Sequence, residues 1–253
     1  MMARKNIMQT AKIVGGVILA LSAIGFVEKK QKTKPSLDVE ITINNQQGNF
    51  FISKEDIQAI ISNGSTPLLG ENVPGHVLHE MEQRLIDHQF IESAEVYKNL
   101  KGKLVVQVDQ SVPVARLLHQ DKPDAYLTAE GQVIPTSEQY TARVTLISGP
   151  DNQRMIEEGN HVTAEGRKIL ELIGYAQQNQ FWKAQIAQLD ISKEGNITIY
   201  PQVGKQYIEF GKAENLADKF RRLELFYHQI LPTKGWNEYQ RVNVQYQDQI
   251  ICE

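Results

Sequence analysis

The chain has 253 residues and a net charge of −3, with 41% hydrophobic and 23% charged residues. This length fits one or two globular domains, and the balance of apolar and charged residues excludes global disorder. The small negative charge gives no support for nucleic-acid binding, and the single cysteine, Cys252, excludes an internal disulfide framework and a cysteine-based zinc site.

The first element in chain order is an apolar segment near the N-terminus. The run from Ile13 to Val27 carries no charge, so residues 12–27 are predicted to form a transmembrane helix after a cytoplasmic tail at residues 1–11. Lys12 can extend its ammonium to the headgroups and so lengthen a rather short span. Because no later apolar run has membrane length, we expect a single-pass protein whose bulk lies outside the cytoplasm.

A cleavable signal peptide is the alternative reading of this segment. Ala23 and Gly25 offer a weak small-x-small cleavage site. The apolar run nevertheless continues to Val27 and passes into a charged linker, predicted at residues 28–36, without a clear site. This continuity favours the uncleaved anchor, and both alternatives export the folded part.

Residues 37–110 are predicted to form a small α+β domain in the order strand, helix, helix, strand, strand. The first helix begins after Ser53, a plausible N-cap, with Asp56 supplying the acid of a capping box. The segment from Glu92 to Val108 is predicted to be a hairpin with a turn at Lys101 and Gly102. The hairpin residues expected to bury against the two helices are Val96, Leu104, Val106 and Val108, and those expected to face solvent as a basic rim are Lys98, Lys101 and Lys103.

Residues 111–253 are predicted to form a second, β-rich α+β domain with helices packed on its sheet. Glycines at 131 and 195 mark the turns of two hairpins, and residues 163–178 and 213–231 have helical periodicity. The last predicted element is one strand from Tyr239 to Ile251, in which Val242, Val244 and Tyr246 alternate.

The sequence carries no recognisable catalytic motif. His76 and His79 stand three residues apart beside Glu80, but this spacing matches neither zinc-protease pattern and no third ligand is evident, so we interpret them as surface histidines. Phosphate-binding, dinucleotide-binding and serine-hydrolase signatures are also missing from the sequence. We therefore expect no enzyme, no catalytic, cofactor-binding or metal-binding residues and no cofactor, and an exported domain of this kind is expected to bind a partner.

Over nearly its whole length the chain resembles the FtsQ/DivIB family of bacterial cell-division proteins. The segment that resembles the opening of the family's POTRA domain is GNFFISKEDI, and the rest of that domain is similar to RLIDHQFIESAEVYKNLKGKLVVQVDQSVPVARL. The later domain is similar at YLTAEGQVIP, VTLISG and RVNVQYQDQIIC. Two positions depart from the family pattern, Thr145 in place of a common proline and Gln245 in place of a basic residue, and the second puts nearby partner contacts in doubt.

The resemblance implies a cytoplasmic tail, one membrane helix, a POTRA domain with the order βααββ and a β domain. It implies a non-enzymatic divisome scaffold in the inner membrane at the division septum, with its C-terminal bulk in the periplasm. Its implied partners are FtsB/DivIC and FtsL type membrane coiled-coil proteins, which connect it to septal peptidoglycan synthases. The alternatives are another POTRA-containing envelope protein, acting in protein transport or assembly, and an exported enzyme with an unrecognised site.

The strand predicted at residues 239–251 is the expected docking site. If it lies at a sheet edge, its unpaired backbone groups can pair with a partner strand, and Tyr246 would be a rigid anchor. The preceding helix would supply flanking polar contacts. The predicted partner-binding residues are Arg241, Asn243, Gln245, Tyr246, Asp248, Lys219, Arg222 and Glu224. In the alternative reading, Val242, Val244 and Tyr246 pack on the core, and Lys219 and Arg222 form a solvated face.

Overall fold

The computed structural model describes residues 39–45, 48–62, 73–150, 155–157 and 161–253. The chain divides into two compact units, of which the first ends at Gln110 and the second comprises residues 47–51 and Ser111–Glu253. The predicted tail, membrane helix and linker at residues 1–36 lie outside the described residues. Among the helices within the described ranges, none combines the length and the apolar character that a membrane crossing requires.

The first unit has the predicted order of strand, helix, helix, strand and strand. Its elements are β1 (Val39–Asn44), α1 (Lys54–Ser62), α2 (Gly75–Ile86), β2 (Ile91–Lys98) and β3 (Leu104–Gln110). Strand β3 lies in the middle of a three-stranded sheet, parallel to β1 and antiparallel to β2. Because β1 and β3 run in parallel, the chain must cross from one end of the sheet to the other between them, and the two helices followed by β2 make this connection.

The capping box predicted at the start of α1 is confirmed. The Ser53 hydroxyl accepts a hydrogen bond from the Asp56 backbone N–H at 3.1 Å, and Asp56 Oδ2 accepts one from the Ser53 backbone N–H at 2.9 Å. A third bond runs from the Ser53 hydroxyl to the same carboxylate at 2.7 Å. The pKa of Asp56 lies below its ordinary value, chiefly because its carboxylate accepts the hydrogen bond from the Ser53 hydroxyl and, next, the one from the Ser53 backbone.

Replacing Ser53 with alanine is expected to lower the free energy of unfolding by about 1 kcal/mol, because the Asp56 backbone N–H loses its acceptor and the Asp56 carboxylate loses the hydroxyl donor. The part of this stabilisation that depends on ionised Asp56 is fully present above the ordinary pKa of an aspartate. It is lost as pH falls through the lower pKa that Asp56 has in the folded protein. Urea unfolding of both forms measures the loss. Ser62→Ala, at the other end of the same helix, is the matched control, and an equal loss in both variants would contradict the capping role.

The predicted hydrophobic face of the hairpin is confirmed. Leu104, Val106 and Val108 are fully buried, and Val96 is 7% exposed. They form one cluster with residues of both helices, among them Ile57, Met81 and Leu85. The basic rim is only partly as predicted, since Lys101 is exposed but Lys98 and Lys103 are half-buried. Burial also lowers the pKa of Lys98.

The second unit is built on a nine-stranded mixed sheet. The strands of this sheet are β4 (Pro113–Leu117), β5 (Ala125–Thr128), β6 (Val133–Pro135), β7 (Thr145–Ser148), β10 (Ile186–Ile191), β11 (Ile197–Pro201), β12 (Tyr207–Gly211), β13 (Arg241–Asn243) and β14 (Ile251–Cys252). Their order across the sheet is β14, β13, β12, β11, β10, β7, β4, β5, β6. Two short strands, β8 (Ile156–Glu157) and β9 (His161–Val162), pair separately.

Helices cover the sheet of the second unit, as predicted. They are α3 (Ala164–Gln177), α4 (Gln180–Gln185), α5 (Leu216–Leu225), a π-helical turn (Phe226–Ile230) and α6 (Leu231–Lys234). The helix predicted at 213–231 starts only at Leu216, because Asn215 adopts the left-handed conformation with φ 52°. The apolar residues that α3, α5 and the π-helical turn contribute to the main core include Ile169, Leu172, Phe220, Leu223 and Phe226.

The prediction of a single strand from Tyr239 to Ile251 is wrong. The structure has two short strands, β13 and β14, joined by the loop 244–250. Strand β13 pairs in parallel with β12 on one side and antiparallel with β14 on the other, so Arg241–Asn243 is not an edge. The sheet edge belongs to β14 instead.

Candidate functional site

The candidate site is the edge formed by β14 and the loop that precedes it. Arg241 and Glu253 exchange two backbone hydrogen bonds, from Arg241 N–H to Glu253 C=O at 3.0 Å and from Glu253 N–H to Arg241 C=O at 2.9 Å. In an antiparallel ladder the residue next to such a pair turns its own N–H and C=O away from the neighbouring strand. The backbone groups of Cys252 therefore point to the open side, where no described strand follows.

The loop 244–250 is held by the guanidinium of Arg222. Arg222 Nη1 donates to the carbonyls of Tyr246, at 2.5 Å, and of Gln249, while Nη2 donates to the carbonyl of Val244 at 3.1 Å. Nη2 also lies 3.0 Å from Asp218 Oδ2. Arg222 is 6% exposed, so these bonds are made inside the protein. We call this arrangement the Arg222 clamp.

The clamp explains why the predicted strand is interrupted. Carbonyls bonded to Arg222 are not available for a continuous ladder, and Asn243 Oδ1 accepts the Gln245 backbone N–H at 2.9 Å. Asp248 then adopts φ 56°, a left-handed conformation typical of turns. Tertiary hydrogen bonds thus override the alternation of apolar residues in this segment.

Lys219, one turn before Arg222 on α5, is also inside the protein. Its Nζ donates to the carbonyls of Phe210 and Lys212, both at 2.8 Å, and lies 4.7 Å from the centre of the Phe210 ring. Burial lowers the pKa of this lysine. Lys219 and Arg222 therefore provide neither the flanking surface contacts nor the solvated face predicted from the sequence, because both side chains are buried and their charged groups donate to backbone carbonyls.

A second polar network joins the last three strands of the sheet. Arg241 lies 2.8 Å from Glu209 Oε2 on β12 and 2.7 Å from Glu253 Oε2. Asn243 is buried and donates to the same Glu209 carboxylate at 2.6 Å. The hydrogen bond from Arg241 is the main reason why the pKa of Glu209 is lowered. Arg241 and Asn243 thus fix the pairing of β12, β13 and β14.

Three of the predicted site residues remain on the surface. Tyr246 is 55% exposed, and Gln245 and Asp248 lie on the same exposed loop. Glu224 is half-buried, and its Oε1 accepts hydrogen bonds from Trp182 Nε1 at 3.3 Å and from Asn179 at 3.4 Å. Tyr246 and its exposed neighbours therefore lie on the loop that leads directly into β14.

Sequence reasoning missed the contributions of Glu209, Asp218 and Cys252. Glu209 shows no signal in local spacing, because its partners Arg241 and Asn243 are distant in the chain. Asp218 stands four residues before Arg222, the spacing of a helical ion pair, and this signal could have found it. Cys252 matters through its backbone, and burial raises the pKa of its thiol, which disfavours a reactive thiolate. Among the described residues, no three histidine, cysteine or acidic side chains cluster in a way that could hold a metal ion, and His79 is exposed beside Glu82.

The fold and the site define a class of protein, namely a small βααββ domain joined to a β-rich domain with an open strand edge. The POTRA-like domain family matches residues 36–109, and the family described as FtsQ/DivIB, C-terminal related, matches residues 112–253. The chain belongs to the FtsQ/DivIB family. It is 26% identical over 200 residues to cell division protein FtsQ from Syntrophotalea carbinolica, a match that covers 78% of this chain and 68% of that protein.

Proposed function

We propose that the protein is a non-enzymatic scaffold of the bacterial divisome, anchored in the inner membrane at the division septum. Family membership and the similarity to a cell division protein support this role. The apolar segment at residues 12–27 is the proposed anchor, with the N-terminus in the cytoplasm and both folded units in the periplasm. A fluorescent fusion should form a ring at midcell in dividing cells. A uniform envelope signal would instead favour a POTRA protein of transport or assembly.

The proposed partners are the FtsB/DivIC and FtsL type coiled-coil proteins of the membrane. An extended segment of the FtsB/DivIC-type partner adds a strand to the sheet beside β14, pairing with the N–H and C=O of Cys252. The observation that carries this proposal is the open side of β14, the last strand at one end of the nine-stranded sheet. Side chains of the partner strand then reach the loop 244–250, where Tyr246 offers a rigid amphipathic surface.

In this mechanism the protein binds its partners and holds them at the division site, and it catalyses no reaction. Gln245, Tyr246 and Asp248 make direct contacts, whereas Arg222 and Arg241 hold the loop and the strands in the geometry that presents them. By retaining the coiled-coil proteins, the scaffold connects the septal peptidoglycan synthase complex to the division site. Lys219 and Asn243 contribute in the same indirect way, and Glu224 lies at the margin of the site.

Replacing Tyr246 with alanine is expected to weaken capture of the FtsB/DivIC-type partner by about 30-fold, the effect of losing an aromatic hot spot of about 2 kcal/mol. The domain should still fold, because the Tyr246 side chain is 55% exposed. Titration of the source organism's own partner, followed by light scattering or calorimetry, measures the change. This variant is cleaner than a proline at Gln245, whose backbone N–H donates to Asn243.

Tyr200→Ala is the matched control for this experiment. Tyr200 is 43% exposed, but it lies on β11, an interior strand of the sheet. Its replacement should leave the affinity unchanged. Equal affinities of the Tyr246 and Tyr200 variants would remove Tyr246 from the proposed site.

A further inference from the structure

The two larger sheets end in strands of different length. Strand β14 has two residues, and β6, at the other end of the nine-stranded sheet, has three and closes with Pro135. In the first unit the outer strands are β1 and β2, which lie on either side of β3. A long exposed edge can pair with other chains, and natural proteins usually protect it by shortness, proline, lysine or a bulge. The protection of β1 and β2 is therefore informative.

The edge strand β2 carries such protection. Its register with β3 shifts between Ile91 and Ser93, which indicates a bulge. The Val96 backbone N–H donates to Glu82 Oε2 of α2 at 3.4 Å, so this N–H is already bonded within the unit. Lys98 ends the strand. A further strand could pair with β2 only after displacing these groups.

Strand β1 carries no comparable protection. It pairs with β3 through six consecutive residues, Val39–Asn44, without a shift in register. Its sequence, VEITIN, contains neither lysine nor proline, and Glu40 is its one charged residue. On the side away from β3 the described part of the chain provides no further strand. The alternate N–H and C=O groups that point to this side can therefore receive one.

The sequence of β1 fits a second copy of itself. When two β1 strands run antiparallel about a two-fold axis through Thr42, Ile41 of one copy lies opposite Ile43 of the other, and Glu40 lies opposite the neutral Asn44. The isoleucines are half-buried at the margin of the core that both helices share, so the apolar pair extends this core across the axis. The polar pair lies on the other face of the sheet, and no like charges are opposite each other.

We propose that β1 pairs with β1 of a second copy of this chain, and that the two three-stranded sheets join into one sheet of six strands. The interface is isologous, with its two-fold axis perpendicular to the sheet, so it closes as a dimer. The inference goes beyond the proposed divisome role. It does not depend on β14, which belongs to the second unit.

Disulfide cross-linking of the full chain tests the pairing. In a Cys252→Ala background, Thr42→Cys places one thiol of each copy at the axis, where the two Cα atoms lie about 4.5 to 5.5 Å apart, within the range of a disulfide. Glu95→Cys is the matched control, since Glu95 is exposed and shares a row of the sheet with Thr42 through Gln107, but lies on β2. After mild oxidation of intact cells, we expect about five times more cross-linked dimer from Thr42→Cys than from Glu95→Cys.

The register predicts two further results. Chains with Glu40→Cys and chains with Asn44→Cys should cross-link when they are expressed together. Each alone should give as little dimer as Glu95→Cys, because like positions in the two copies lie four residues, or about 13 Å, apart along the strands. Adding Thr42→Lys to both chains should abolish the mixed cross-link, because it places two ammonium groups opposite each other at the axis.

Three results would overturn the proposal. A dimer yield from Thr42→Cys no greater than that from Glu95→Cys would exclude the pairing of β1 with a second copy. If the Thr42→Cys thiol then also resists a maleimide, another strand covers this edge. Strong cross-linking of Glu40→Cys by itself would contradict the antiparallel register.

Discussion

Replacing Arg222 with leucine is expected to lower the free energy of unfolding of the second unit by about 3 kcal/mol. The guanidinium is 6% exposed and donates to the carbonyls of Val244, Tyr246 and Gln249. A buried ion pair can often be exchanged for apolar side chains without loss, but here the acceptors are backbone carbonyls, which the substitution leaves behind. Urea unfolding followed by tryptophan fluorescence measures the loss.

Arg221→Leu is the matched control for this substitution. Arg221 contacts the same Asp218 carboxylate at 2.7 Å, but its side chain is 67% exposed. Surface pairs of this kind contribute little, so the control should change the free energy of unfolding by less than about 0.5 kcal/mol. Arg222→Lys should fall between the two, because an ammonium cannot reproduce the planar fork that reaches three carbonyls. Similar losses in the Arg221 and Arg222 variants would show that the clamp is not what holds the loop.

The same substitution should release the loop before it unfolds the domain. Amide hydrogen exchange over residues 244–250 should accelerate in Arg222→Leu, while exchange in the interior strand β11 stays close to that of the parent chain. Partner affinity should fall as well, since Tyr246 then loses its fixed position. A Tyr246→Ala chain separates the two effects, because it should lose affinity without faster exchange in the loop.

Replacing Cys252 with proline is expected to lower the affinity for the FtsB/DivIC-type partner by at least about tenfold. Proline has no N–H, and the N–H of Cys252 is the group that points away from β13 towards the proposed partner strand. The bonds between Arg241 and Glu253 do not involve this residue and should persist. Edge strands accept proline where the N–H faces outward, and proline keeps the preceding Ile251 extended. Titration of the partner measures the loss.

Cys252→Ala is the control for the proline variant. It removes the thiol and keeps the backbone donor, so it should bind the partner as the parent chain does. Unfolding of both variants in urea shows whether the domain remains intact. A proline variant that unfolds at a much lower urea concentration than the alanine variant would indicate that β14 is packed more tightly than its open side suggests.

The first unit could be predicted almost completely from the sequence because its signals are local. The capping box needs only Ser53 and Asp56, three residues apart, and the hairpin needs alternation around Gly102. The burial of Leu104 and Val106 follows from the same alternation. Lys98 and Lys103 were less predictable, because the stem of a lysine can be buried while its position appears polar.

The candidate site could not be predicted in its details because long-range hydrogen bonds determine it. Arg222 is 22 to 27 residues away from the carbonyls that it binds. In the helical pattern of residues 213–231, Arg222 occupies an ordinary polar position, and nothing in the spacing of the residues indicates that its cation is buried. Alternation of Val242, Val244 and Tyr246 predicts a strand, and only the tertiary acceptors of Arg222 explain the loop. The edge was therefore expected in the right region but on the wrong strand.

The exposed backbone of β14 is the central element of the proposed function. The most direct test is the ratio of the dissociation constants of Cys252→Pro and Cys252→Ala for the source organism's FtsB/DivIC-type partner, measured on chains with equal urea midpoints. Strand addition at β14 predicts a ratio of about ten or more, because the two variants differ in one outward donor. A ratio of one would show that the partner binds elsewhere.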